Sequence, residues 1–568
     1  MKYSNPIVAL LFVVLTYACV AVGEEQDERP GTDTVESGIP GFTEVTHAVS
    51  PAGRGRQFDI GGGNQHGDEL DDVPWQSLRP GDVVNIYYRE SPYRSKILLS
   101  EQGTKKRPII INGVTDEHGN RPTIDAAGAR SINPHEWDID YSNTLLLINK
   151  RHRSGRYGQN AKHYQIKNLR LTGVRASNWY IHDKKTENYD PRSRAIWSAG
   201  GQNIVLEGMI IEDNGAGLFI QAGDDPGSLS STWTIRGCKF ENNGHGARDH
   251  QIYLQAVSGP GEYNIVEGNY FGPPTAGQSS VAQLKARATG VIVRYNWFNS
   301  SHRTLDIVEA QDAIPDWMYR NYSPEEIKRL YRSSYVYGNV FVNDFDATSG
   351  QTASRPLHFG ADTLDADATW GNRSGAAPPT ESGMRGYESP TYFFHNTFYM
   401  RADSSDLWRG VLFDAENNNS DKTPSPGTVE AWNNIIEFAG DTRIGVMNRS
   451  GKTIWRGTNL LYTKSLDTFA ESDAYANYER RGDDKNVDVV YESQIIPESA
   501  GFVDAGNPTL ELKDFRLSGK SPAIGKASPL PAVLASFPVL YQPNGTRGGT
   551  IPRPSTADLG AIAADSSQ

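Results

Sequence analysis

Cysteine is almost missing from this 568-residue chain, which carries only Cys19 and Cys238. Cys19 sits in the apolar stretch at the N-terminus, so a processed chain would hold one thiol and no internal disulfide. Its order must come from a buried core. Long apolar runs are scarce as well: the one near membrane length, Ile7 to Val20, is short for a span and leads into acidic, polar sequence. Basic charge is not in surplus, with 56 Lys and Arg against 68 Asp and Glu, a net −12 that becomes −13 without Lys2. That balance argues against a nucleic-acid surface, while leaving room for a local basic patch facing a polyanion.

Lys2, the apolar run and the small-x-small triplet Ala21-Val22-Gly23 together read as an export signal over residues 1–23. Residues 24–45, acidic and polar, read as a flexible lead-in. The mature protein is therefore expected to be secreted or periplasmic, with no transmembrane segment. Thr16 in "TYAC" disfavours a lipid anchor through Cys19. The 56 glycines, 32 prolines and 27 tyrosines suggest β-structure with many turns.

A local pattern recurs along the chain: "QIKNLRL" (165–171), "VLEGMII" (205–211), "TIRGCKF" (234–240), "IVEGNYF" (265–271), "IVRYNWF" (292–298), "YVYGNVF" (335–341), "YFFHNTF" (392–398) and "AWNNIIE" (431–437). Its fourth position falls at 168, 208, 237, 268, 295, 338, 395 and 433. The shortest spacings are near 27–31 residues and the longer ones fit a solenoid with loop insertions. Each unit has short β-type runs, not a helical repeat's ten or more helix-periodic residues. Gly and Asn suit tight left-handed corners, and stacked Asn side chains can hydrogen-bond from coil to coil. The expected fold is all-β, a single-stranded right-handed parallel β-helix over residues 46–568 with loop insertions and terminal capping coils. A β-sandwich could hold similar strands, but it has no reason to repeat whole coils at this period. "SPEEIKRLYR" (323–332) predicts one short inserted helix, with Ser323 as cap, Pro324 at its first position and Glu326 completing a capping box.

The coils can be registered on their apolar positions. Stacking "LFIQA" (218–222), "IYLQA" (252–256), "LKARA" (284–288), "LDIVE" (305–309) and "LHFGA" (357–361) makes two inward aliphatic columns from the first and third positions. The second column, Phe219, Tyr253, Lys285, Asp306 and His358, then points outward. So does the fourth, with Gln221, Gln255 and Arg287. In "AQLKARA" the alternation places Gln283 on that same face. An exposed strip of phenol, amine, carboxylate and imidazole holds groups that titrate and groups that bind carboxylates.

"DHQIYL" followed by "AQLKARATGVIVRYNWF" is similar to the His-x-x-Tyr and Lys-x-Arg segments of bacterial right-handed β-helix polysaccharide lyases, above all the alginate lyases of polysaccharide lyase family 31. The resemblance covers about residues 200–310. It implies Tyr253 and Lys285 as the catalytic pair, an anionic polysaccharide as partner and β-elimination as the reaction. "KARATGVIVRYNWFNSSHRTLD" also follows the form of family 6, again matching Lys285, but that family's catalytic Arg falls at Asp306. This departure tells against a family 6 mechanism and its calcium. No cofactor is expected, since no clear calcium motif is present, and the protein is expected to be a monomer.

On this reading Arg287 pairs with the substrate carboxylate, with Gln255 and Gln221 beside it. Lys285 and Tyr253 share the roles of base and acid in either order. Asp306 orients Lys285 or binds a metal, and His358 and Arg303 line binding subsites nearer the edge. His250 shares the inward face of Ile252 and Leu254 unless the strand bends; it is structural or a carboxylate ligand. His245 is structural. Two rivals remain. "AGDDPG" (222–227) and "NGHGAR" (243–248) echo polygalacturonase-type hydrolases without their Asn-Thr-Asp or Arg-Ile-Lys motifs, and a β-helix can bind glycans without turnover.

Overall fold

The structure is a computed structural model that describes residues 55–63, 67–152, 160–222, 229–246, 249–258, 262–276, 281–299, 303–308, 333–345, 353–354, 356–360, 390–402, 409–416, 428–440, 444–449, 452–463, 488–492, 495–496, 498–505 and 511–564, with the single positions 310, 314, 323 and 326. The expected export signal, the lead-in and residues 361–388 lie outside these residues. So does most of the inserted helix, although its capping box is formed. Ser323 N donates to Glu326 Oε2 (2.8 Å) and Glu326 N to Ser323 Oγ (3.4 Å).

Short β runs stack into three long sheets of 13, 14 and 11 strands among the described residues, giving a parallel β-helix. One coil runs from Ser231–Arg236 in the 13-stranded sheet through Lys239–Glu241 in the 11-stranded sheet to His250–Leu254 in the 14-stranded sheet. The next coil repeats the path with Asn264–Glu267, Tyr270–Phe271 and Ala282–Ala286, each parallel to its predecessor. No helix among the described residues is long and apolar enough to cross a membrane.

The corner between the 13- and 11-stranded sheets carries the repeat's marker. All eight marker residues, Asn168, Gly208, Gly237, Gly268, Tyr295, Gly338, His395 and Asn433, adopt left-handed backbone with φ between 49° and 65°. Gly and Asn do this readily. Tyr295 does not, and external packing holds it: its hydroxyl donates to Pro538 O (3.0 Å) and its ring meets Tyr337 and Tyr541 edge-on. The next corner must then be glycine, because a Cβ on Gly338 would sit 2.7 Å from the Tyr295 ring.

Beside these corners runs a buried ladder of Asn269, Asn296, Asn339, Asn396, Asn434 and Asn459. Each Oδ1 after the first accepts both the backbone N–H and the side-chain amide of the asparagine one coil earlier, at 2.9–3.2 Å. Cys238 holds the preceding rung, donating its N–H to Asn269 Oδ1 (2.9 Å); burial pushes its thiol up to about 12. Inside, Leu218, Ile252, Leu284, Leu305 and Leu357 form one buried column. Phe240, Phe271, Phe298 and Phe341 form another, with rings 4.5–5.3 Å apart and nearly parallel. Burying each such side chain contributes about 1.5–3 kcal/mol.

The C-terminal residues 511–564 return along the outside. Asn433 Nδ2 donates to Ser528 O (2.8 Å) and Gly549 N to Gly268 O (2.6 Å), so this segment follows the corners back across several coils. Phe515, Ala561 and Ile562 cover outward residues of the 11-stranded sheet. Leu534, Phe537 and Val539 cover those of the 13-stranded sheet.

Replacing Asn339 by Ala should orphan two donors of Asn296 and lower stability by about 1–3 kcal/mol for each, read by urea unfolding. Cys238 should resist alkylation in the folded protein and react once it is unfolded, as mass spectrometry would show.

Candidate active site

The 14-stranded sheet bears the titratable residues, and its register is the one the apolar positions predict. Phe219 pairs with Tyr253, Tyr253 with Lys285, Lys285 with Asp306 and Asp306 with His358. The column also extends in both directions: Trp197 precedes Phe219 and Asp414 follows His358. Trp197 was legible in "AIWSA", whose Ile196 aligns with Leu218 one coil before the first of the five stacked segments.

This column is not the solvated strip that alternation suggests. Lys285 is 6% exposed, and Asp306 and His358 are fully buried. Trp197, Phe219 and Tyr253 are half-buried. His358 is therefore behind Asp306 rather than at an open edge. The buried polar groups lie close to one another, as groups withdrawn from water must. The Arg303 guanidinium pairs with the Asp306 carboxylate, and His358 Nδ1 lies 3.9 Å from Asp306 Oδ1. The Lys285 ammonium lies 5.5 Å from the centre of the Tyr253 ring. Asp306 thus neighbours Lys285 while ion-paired with arginine. No group of three or more His, Cys, Asp or Glu side chains suited to a metal ion converges among the described residues.

His250 departs from the inward face expected of it. Its ring stands 4.6 Å from that of Tyr253, three residues on, which strict alternation would place on opposite faces. The imidazole therefore lies on the outer side, against Tyr253. Arg303 repeats this relation to Asp306 two coils further on. His250, Ala282 and Arg303 are successive rungs, so the small Ala282 lies between two larger side chains beside Lys285. His250 is buried, with the backbone of Asp249 beside its ring. Burial, then the Lys285 and Arg303 cations, lower its pKa to about 3, with the Asp249 backbone and Asp306 pulling the other way. The imidazole is neutral, with one nitrogen able to donate and one to accept.

The amides divide between support and site. Gln283 is not part of the outer strip: it is fully buried and its amide donates to the carbonyls of Phe271, Gly272 and Asn299 at 2.8–3.2 Å, closing the adjacent corner. Gln255 Oε1 accepts from Ala222 N (3.2 Å), and Gln221 Oε1 from Trp197 Nε1 (2.9 Å). Arg287 N donates to Leu254 O (2.8 Å), which continues the register and stands the buried Arg287 over Gln255. His245 N donates to Asp249 Oδ2 (2.9 Å), tying its turn to the start of the His250 strand.

No family model matches the sequence, and no curated protein does. Among solved structures, the chain is similar to an alginate lyase from Paenibacillus sp. str. FPU-7, at 13% identity over 67% of this chain and 93% of that one, with a TM-score of 0.34. It is also similar to the pectate lyase Pel9A, at 10% identity over 90% and 97% of the two chains and a TM-score of 0.42. A lacto-N-biosidase from Eubacterium ramulus follows at 14% identity, 78% and 68% coverage and a TM-score of 0.41. At these scores the likenesses carry no inference about chemistry, so the site stands on its own geometry.

The depressed pKa of His250 has a consequence for stability. The unfolded chain takes up this proton near pH 6.5, whereas the folded chain holds it off until about pH 3. Stability should therefore be lost as pH falls from about 6.5 towards 3. Denaturant unfolding at pH 7 and pH 5 should show a smaller loss in His250→Gln than in the parent.

Proposed function

We propose that the protein is a polysaccharide lyase that cleaves a uronic-acid-containing polysaccharide by β-elimination, with alginate the first substrate to test. The observation that carries this reading is the pairing of Tyr253 with Lys285 on adjacent coils, beside the neutral His250 and the buried Arg287. The proton on C5 of a uronate is weakly acidic until the adjacent carboxylate is neutralised. Arg287 supplies that charge through a bidentate pair. One member of the Tyr253–Lys285 pair then removes the C5 proton. The electrons left behind form the C4–C5 double bond, the C4–O4 bond breaks, and the other member protonates O4. Either assignment of the two roles balances. His250 offers one donor and one acceptor to the same sugar without adding charge.

A hydrolase would need two carboxylates flanking the bond. Among the described side chains of the column the carboxylate is Asp306, and Arg303 engages it. The buried amine and guanidinium suit elimination better, because they answer a substrate that brings its own carboxylate.

The purified protein should release products with the ultraviolet absorbance of an unsaturated uronate from at least one of alginate, glucuronan, pectate or a glycosaminoglycan. Lys285→Met and Tyr253→Phe keep the packing volume and should each lower the rate at least about a hundredfold. New reducing ends without unsaturated product, or a Lys285→Met variant as fast as the parent, would overturn the reading.

A further inference from the structure

Upstream of the reactive pair the outward column changes character. Leu98 and Leu147 are covered by Trp137 and Tyr141, and Tyr141 meets Trp197 edge-on at 4.6 Å. From there Trp197, Phe219 and Tyr253 run half-buried, rung upon rung, with ring centres 5.7 and 5.2 Å apart. On the other two sheets, outward aromatics lie beneath the returning C-terminal segment. Here they keep part of their surface.

Arg194 lies across these rings. Its guanidinium carbon is 4.1 Å from the Trp197 ring centre and 4.7 Å from that of Phe219. The next rung opposite Arg194 is Ala216, whose small side chain leaves that space. Asp190 and Asp249 act on Arg194 only at long range, and their oxygens are engaged elsewhere. Asp190 accepts from Asn143 Nδ2 and Arg192 N, and Asp249 accepts from His245 N. Among the described residues no carboxylate lies within ion-pair distance of Arg194. Among the described residues, the fold thus holds a guanidinium over an aromatic platform without a carboxylate at ion-pair distance. A platform of this kind suits the apolar face of a sugar ring, and the guanidinium fork suits a carboxylate.

We infer that Arg194, Trp197 and Phe219 form an outlying subsite that holds a carboxylate-bearing sugar of the same polysaccharide, several units from the bond cleaved between Tyr253 and Lys285. Trp197 is three rungs from Lys285, roughly 14 Å at the 4.7–4.9 Å spacing of paired strands, and the platform runs unbroken to Tyr253. The subsite takes its ligand class from the lyase reading. It adds a specificity that the reactive pair lacks, a preference for long chains that are acidic away from the cleaved bond.

The test uses the full chain with Arg194→Gln, and with Arg194→Lys as the variant that keeps the charge. On polymeric alginate, Arg194→Gln should raise KM about tenfold, the worth of one charge-assisted contact, with kcat little changed; Arg194→Lys should fall between it and the parent. The shortest alginate oligosaccharide that the parent accepts should be cleaved equally by all three. In gels containing alginate, Arg194→Gln should be retarded less than the parent, and carboxyl-reduced alginate should retard neither. Unchanged KM and unchanged retardation would overturn the subsite while leaving the lyase reading in place. Should the parent cleave no polyuronate, the lyase reading falls and retardation decides alone: loss in Arg194→Gln supports the subsite, and equal or absent retardation overturns it.

Discussion

Everything in this protein depends on coil-to-coil register. A parallel β-helix places chemistry by stacking, so a one-residue slip in any coil would turn its outward residues inward. From Gly268–Asn269 to Asn433–Asn434, register is fixed where the chain turns by a left-handed residue followed by a buried asparagine; each such oxygen after that of Asn269 accepts two donors from the coil before, and Cys238 joins the ladder one coil earlier. Each rung therefore fixes its neighbour, and the error does not accumulate along the stack. The contact between Tyr253 and Lys285, on another sheet, is a remote result of those corners. Insertions between sheets change the length of a coil without disturbing this, which is why spacings between markers vary while the pairing does not.

Burial decides what the column can do. On an open face, Lys285, Asp306 and His358 would be solvated groups of modest consequence. Withdrawn from water, they interact strongly, and each is set beside a partner of suitable charge or a ring. His250 is the exception that gives the site its direction. Burial and two cations keep it neutral, and its ring lies against that of Tyr253. A neutral imidazole between a phenol and an amine can take part in hydrogen bonding to a charged ligand without competing for its counter-ions.

Much of this was legible in the sequence, for a physical reason. Strand alternation has period two and the coil has its own longer period, so two independent patterns had to agree before five segments aligned. They did, and Leu284 stands between Ile252 and Leu305 as the apolar positions required. The corner residues were legible too, because few residue types accept left-handed backbone. Burial of the column was not, since alternation tells which face a side chain takes and not what covers that face. Gln283 shows the same gap: it alternates with Lys285, yet it lies where the sheet meets a corner and three carbonyls claim its amide. His250 was ambiguous because alternation does not say where the ring of a strand's first residue comes to rest.

The placement of the site on the 14-stranded sheet follows from the C-terminus. Residues 511–564 pack their apolar side chains on the other two sheets and so occupy the faces where aromatic residues point outward. One sheet keeps an outer face that this segment does not cover, and it is the one whose column passes from aromatic rings to buried ions. Tyr253 stands at that boundary. Its ring stacks on Phe219 on one side and faces the Lys285 ammonium on the other, so it belongs to both environments. A sugar chain lying along the half-open rings would meet the polar cluster at this residue, where the dielectric falls and a proton transfer gains most from a fixed partner. The geometry thus sets both environments against a single side chain, and that arrangement depends on nothing more local than the register of two neighbouring coils.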